Sequence, residues 1–435
     1  MSEQSETEMS GSESMNTEAG RLPLSEVDFF EPSVNDCPYH AYRTLRDEAP
    51  VWFDPKVGGF VITRHDDVKA VLADTERFNN SLRSSARSRT RGDVLALYEE
   101  KGWVPGPTLA ARDDPEHRQM RALFDHAFRP SRIKQLEPQI ADISAQLFDA
   151  FIDRGTCDWV SEFAVPLPLL VIGIQMGADP DDIWRIKAWT DAWVQRLGLM
   201  QTKEEVIWST EMEIEAQHYF QPIFERLRRE PDDTLLSDLV NTEIPEWGRC
   251  LTDNELHAEM MADTFVGGSE TTTNALSGGV RLLIENPDQW DRVKSNPEHY
   301  LPRLVEEVLR LEAPVQRLMR TAAVDVEMHG VTIPKGSMVL VGYAAANRDE
   351  AVFGDAERFD LDRDDGRRHV TFGFGTHYCM GAPLARRELM QGFAMLVERI
   401  DEMWFCDDTD LGIAPNYFLR ALKELRIGFR PVGSA

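Results

Sequence analysis

Cysteine is scarce and scattered in this chain of 435 residues: Cys37, Cys157, Cys250, Cys379 and Cys406 show no CxxC spacing. That excludes a disulfide framework and a cysteine-based zinc site as organising principles, and makes a reducing, cytoplasmic compartment the expectation. Basic residues are also in short supply, with 47 Lys and Arg against 75 Asp and Glu, for a net charge of −28. Bulk attraction to nucleic acid or anionic membrane is thereby disfavoured, and any basic docking surface has to be local. No apolar run reaches the roughly 18 residues of a spanning helix, so no membrane anchor is expected; nor is there a signal-peptide pattern. Internal repeats, a fused flavin or iron–sulfur module and a low-complexity linker after residue 20 are likewise missing, so electrons for any redox chemistry have to come from a separate protein. Residues 1–22 are acidic and read as a disordered tail ahead of one domain over residues 23–435.

What is present builds a core, since 42% of the residues are hydrophobic. A small β-rich part lies near the start, where a Gly-Gly turn divides two apolar runs between Val51 and Arg64. Helical periodicity dominates from about Asp114 to Glu312. A second β-rich passage runs from Val326 to Asp349, with turn signals at His329-Gly330 and from Pro334 to Gly336. The closing LKELRIGFRP reads as a last strand. The fold class is therefore mainly α with smaller β-sheet regions.

One helix stands out, from about Thr252 to Asn286, opened by the capping box Thr252 to Glu255 and closed before Pro287. At 1.5 Å per residue it spans on the order of 50 Å, enough to cross a domain. Its middle, Val266 to Thr273, reads VGGSETTT. Each Gly costs about 1 kcal/mol relative to Ala and the threonines are β-branched, so a local bulge is expected there. Further on, FGFGTHYCMG from Phe372 to Gly381 places Cys379 in a glycine-rich loop feeding an amphipathic helix. Free N–H groups and the dipole at that helix start favour a thiolate.

The loop fits the pattern FxxGxxxCxG through Phe372, Gly375, Cys379 and Gly381, and the chain resembles the cytochrome P-450 family from about residue 25 to 432. The resemblance implies a haem between the long central helix and the cysteine-loop helix, namely heme b (iron protoporphyrin IX), with Cys379 as the thiolate ligand of its iron. It implies that Gly267 and Gly268 give room above the iron, while Glu270 and Thr271 deliver protons to bound oxygen. His117, Arg121, Arg320 and His377 would pair with the haem propionates. The ExxR pair Glu307 and Arg310 would lock onto Arg358, holding the cysteine loop.

The activity so implied is that of the soluble bacterial members: monooxygenation of a hydrophobic organic molecule, such as a terpenoid, steroid or aromatic. O2 is the oxidant, and electrons come from NAD(P)H through a ferredoxin reductase and a ferredoxin. A haem-thiolate peroxygenase or isomerase, or a non-catalytic haem-binding protein, are the alternatives. Arg118, Arg129, Arg132, Lys134, Arg386 and Arg387 form the expected ferredoxin-docking patch. The substrate pocket is expected from Arg83 to Leu109, Trp189 to Trp208, Asp263 to Gly267, Val315 to Leu318 and Tyr417 to Leu419. Within it Asp263 is expected to orient a hydroxyl or amine. The run Arg83, Arg87, Arg89, Arg91 reads as a solvated loop, or else as a strip steering a carboxylated substrate.

Overall fold

The computed structural model describes residues 21–81, 92–199 and 201–433; the acidic tail and the run Arg83, Arg87, Arg89, Arg91 lie outside the described residues. The Gly-Gly turn forms as expected, with Gly58 at φ +73°, and joins strands β1 (Val51–Asp54) and β2 (Gly59–Ile62) as an antiparallel pair. They belong to a five-stranded sheet in the order β1-β2-β8-β5-β3, where β3 is Phe78–Asn79, β5 Leu318–Ala322 and β8 Met338–Val341. Three further strands, β4 (Thr156–Asp158), β9 (Ile400–Phe405) and β10 (Arg426–Pro431), form a second sheet in the order β4-β10-β9. β6 (Val326–Met328) and β7 (Val331–Ile333) make a hairpin about His329-Gly330. Residues Tyr343–Ala346, expected within the β-rich passage, turn instead into a short helix. They are four consecutive buried residues, three of them alanine, with no strand to pair with. β5 and β9 carried no clean alternation in the sequence and emerge only from their pairing in the sheets.

Five helical elements place the site: α1 (Glu116–Ala127), α2 (Ile183–Leu197), the central helix α3, α4 (Pro297–Leu311) and α5 (Ala382–Arg399). α3 comprises an α-helical turn set Asp253–Glu259, a π-helical stretch Met260–Glu270 and a second α-helical stretch Thr271–Glu285. The Thr252 hydroxyl accepts the Glu255 amide while the Glu255 carboxylate accepts the Thr252 amide, so the capping box is complete. The expected bulge exists and is wider than the glycine pair alone. Insertion of one residue per turn shifts every later side chain around the axis, and such bulges concentrate at functional sites.

Beyond the bulge, α3 is buried on all sides from Thr272 to Val280, as a helix through the middle of a helical body must be. Its neighbours approach closely at Gly279, where an added Cβ would lie 2.4 Å from Phe393 Cζ on α5 and 3.1 Å from Val308 Cγ2 on α4. Gly279→Ala is therefore expected to overpack this junction and destabilise the fold by about 1–3 kcal/mol in chemical denaturation, although alanine is the better helix former.

Candidate functional site: a cavity between the central helix and the cysteine loop

The cysteine loop takes its shape from glycine. Gly373 and Gly375 have φ of +75° and +73°, and a Cβ on Gly375 would sit 3.0 Å from the Leu72 carbonyl oxygen. Only glycine meets both demands. The Cys379 amide donates to the Phe372 carbonyl at 2.8 Å, closing the loop one step before α5. The sulfur lies open to the cavity. Burial pushes the Cys379 thiol above its ordinary range, against the pull of the Gly381 and Ala382 amides and of Arg121 and Arg386. The helix start and the two arginines thus act in the expected direction but are outweighed by desolvation. A metal cation binding there has to displace the proton.

Two neighbouring glutamates of α4 anchor the loop from below. Glu307 is bidentate to Arg310, both contacts at 2.8 Å, and the pair is fully buried. The third member is Arg363, whose Nε donates to Glu307 Oε1 at 2.8 Å. Arg358, the expected partner, contributes only its backbone carbonyl, which accepts from Arg310 and from Arg363 at 3.1 Å each. The segment folds back so that the side chain five residues later reaches the carboxylate. Glu306 serves the other side, accepting from Arg386 at 2.7 and 3.0 Å and meeting His369 at 3.1 Å. Desolvation alone would raise its pKa, yet the His369 and Arg386 contacts outweigh it and hold Glu306 down to about 2. Because the folded value lies below the ordinary 4.5, this stabilisation is complete above that pH and fades as pH falls toward 2. Glu306→Gln is expected to lower the melting temperature at neutral pH and to flatten the acid limb of a melting-temperature profile between those two values.

Around the cavity the structure gathers Phe372, His377, Cys379 and Gly381 from the loop, His117 and Arg121 from α1, Arg320 from β5, and Gly267, Gly268 and Thr271 from α3. Gly375 shapes the turn without reaching the cavity. His117 and His377 face each other with ring centroids 4.0 Å apart. His117 is buried, its pKa lowered chiefly by desolvation against the opposing pull of Asp114, and its Nδ1 makes no hydrogen bond, the Asp114 carboxylate standing 3.7 Å away. The Thr271 hydroxyl donates to the Gly267 carbonyl at 2.8 Å. Glu270 points away from the cavity into α2, where it accepts from Thr190 at 2.9 Å and pairs with Lys187 at 3.2 Å. Lys187 in turn pairs with the half-exposed Asp191.

These residues fit a haem. Among the described residues no group of three His, Cys, Asp or Glu side chains is placed to hold a bare metal ion, so a metal at Cys379 needs its other ligands from a macrocycle. An orphaned histidine nitrogen beside Arg121 and Arg320 suits a buried carboxylate at the rim of such a group.

The family model for cytochrome P450 matches residues 197–402. A steroid C26-monooxygenase of Mycobacterium tuberculosis is 32% identical over 416 residues, 95% of this chain and 98% of the relative. The chain belongs to the cytochrome P450 family. Cytochrome P450 CYP109Q5 from Chondromyces apiculatus has a TM-score of 0.81 at 32% identity, covering 94% of this chain and 99% of that one. CYP109E1 from Bacillus megaterium, solved in complex with testosterone, has a TM-score of 0.76 at 31% identity, covering 90% and 99%. The fold is accordingly that of the P450s, the enzyme class is P450 monooxygenase, and the family's cofactor is haem.

Within this P450 several expected positions shift. Trp193 and Leu197 of α2 line the cavity, whereas Trp189 is buried against Tyr219 and Trp208 is exposed. Of the closing segment only Leu419 reaches it; Tyr417 is buried and donates to Asp54 at 2.7 Å. Asp263 does face the cavity, though not unpaired, since it accepts the Ala110 amide at 2.9 Å. The basic patch is largely neutralised: Arg132 is buried and, with Arg129, pairs with Asp238, while Arg386 and Arg387 pair with Glu306 and Glu137. Arg118 and Lys134 are exposed with no ion pair among the described residues. No helix among the described residues is long and apolar enough to cross a membrane.

Proposed function

We propose that this P450 hydroxylates a steroid-sized hydrophobic molecule, in a single domain over residues 23–435 working in the cytoplasm, with heme b held by Cys379 and electrons passed from NAD(P)H through a ferredoxin reductase and a ferredoxin. The observation that carries the reading is one cavity walled by the Cys379 sulfur and by the Gly267 to Thr271 turn of the bulged helix. The steroid names of the relative and of the bound neighbour support the substrate class.

The haem, when bound, supplies dioxygen binding and one-electron chemistry. Cys379 would hold it through a thiolate, an electron-donating ligand. His117, Arg121, Arg320 and His377 would hold its carboxylates. Gly267 and Gly268 keep side chains out of the space above it. Thr271, its proton directed at the Gly267 carbonyl, keeps its oxygen free to accept and orient a hydrogen bond from the cavity. Glu270 relays protons from the Lys187 ammonium, its partner on the solvent side. Leu109, Trp193, Val315 and Leu419 exclude water and hold the substrate skeleton.

The test is reconstitution with a ferredoxin, its reductase and a steroid panel under isotopically labelled dioxygen. Label in a hydroxylated product supports the reading, and label only in water or peroxide refutes it. In the same assay Thr271→Ala is expected to keep consuming NAD(P)H while product formation drops on the order of a hundredfold.

A further inference from the structure

The wall of the cavity carries three carboxyl groups that the proposed chemistry leaves unused, Glu259, Asp263 and Glu388, and the first two stand together. Glu259 ends the first α-helical stretch of α3, and Asp263 follows in the π-helical stretch. Glu259 Oε1 accepts the Leu109 amide and Asp263 Oδ2 accepts the next amide, Ala110. Adjacent amides thus bring the two carboxyls side by side, and both line the cavity. Glu259 is 1% exposed, and its Oε2 has no hydrogen-bond partner. The nearby cation, Arg112, is bonded to Glu116 and Glu255 instead.

A buried carboxyl oxygen without a partner is costly, and a pair that only clamped the Leu109–Ala111 turn would need one oxygen each. Burial and the charge of Asp263 push Glu259 well above the ordinary carboxyl range. That direction favours the protonated form, in which the unpartnered Oε2 is an O–H donor beside the oxygens of Asp263. One donor and one acceptor at adjacent points match a single hydroxyl, which accepts from the first and donates to the second. An ammonium has no lone pair for the donor.

We propose that Glu259 and Asp263 form the recognition site for a hydroxyl of the substrate, so that the preferred class is a lipophilic alcohol with its oxygen set away from the reacting carbon. This rests on the cavity being the substrate pocket of a haem monooxygenase. The measurement uses purified holoenzyme and three probes: androstane and its monohydroxy and monoamino derivatives, substituted at the same ring carbon. Affinities come from haem spin-state titration, with calorimetry for the amine.

The alcohol is expected to bind at least about tenfold more tightly than the hydrocarbon. In the double variant Glu259→Gln with Asp263→Asn, which keeps an oxygen for each of the Leu109 and Ala110 amides, that ratio is expected to fall several-fold while hydrocarbon affinity holds. A clamp acting only on the loop would change all three affinities together. Equal affinity for alcohol and hydrocarbon, an unchanged ratio in the variant, or tighter binding of the amine than of the alcohol overturns the assignment. The carbon monoxide spectrum of the same wild-type sample separates the two levels. Lack of the haem-thiolate band brings down the enzyme reading, whereas a normal band without alcohol preference brings down this site alone.

Discussion

Cys379→Ser is expected to yield a folded protein that has lost the haem-thiolate carbon monoxide band and essentially all monooxygenation. The loop does not depend on the sulfur for its shape. Its turns rest on Gly373 and Gly375, on the Cys379 amide to the Phe372 carbonyl, and on Arg386 and His369 held by Glu306. A serine oxygen occupies nearly the same place, so unfolding midpoints of wild type and variant without haem should nearly coincide. The chemistry does depend on it, because an alkoxide is far harder to form than a thiolate and donates less electron density to iron. Reduced carbon monoxide difference spectra and product analysis check both halves. A variant that keeps the band would show that another atom holds the iron.

The parts of this site legible in the sequence are those compressed into short stretches. The capping box at Thr252, the glycine and threonine run of α3, the spacing of His117 and Arg121, and the cysteine loop each encode local geometry that survives unaltered in the fold. What the sequence concealed are contacts between distant segments. Lys187 and Thr190 meet Glu270 across eighty residues of chain, and nothing in the α2 sequence marks them. The same holds for α2 itself: its periodicity makes Trp189 and Trp193 equally apolar, but only packing against Tyr219 sends the former into the core and leaves the latter for the cavity. The charge balance of the basic patch was hidden for a related reason. Counting charges along helices cannot see that Asp238, Glu137 and Glu306 arrive from elsewhere to meet them. Glu306 had a faint signal, an acidic doublet at the ExxR motif, yet its role appears only when His369 and Arg386 close on it. Glu259 had none, since an acid near a helix start is an ordinary sight.

Glu307→Ala is expected to be the most damaging single substitution for stability, at about 3–5 kcal/mol, because it strands a fully buried guanidinium. Arg310 then keeps only carbonyl acceptors, those of Asn347, Ala356 and Arg358. The loss propagates, because Asn347 orients the cysteine loop: its side chain accepts the Val370 amide at 2.8 Å and donates to the Thr371 hydroxyl at 2.7 Å. Thr371 in turn donates to the Leu309 carbonyl at 2.6 Å on α4 itself. A shift of Arg310 thus reaches the residues just ahead of Phe372, and haem retention should fall together with the denaturation midpoint. Two further variants tell which arginine completes the triad. Arg363→Ala removes a side chain bonded to Glu307 and Asp365 and should cost a substantial part of the Glu307 effect. Arg358→Ala leaves the backbone carbonyl that Arg310 and Arg363 use, so its cost should stay within about 0.5 kcal/mol. Equal losses in these two variants would mean that the carboxylate of Glu307 is shared in solution in a way this geometry does not allow.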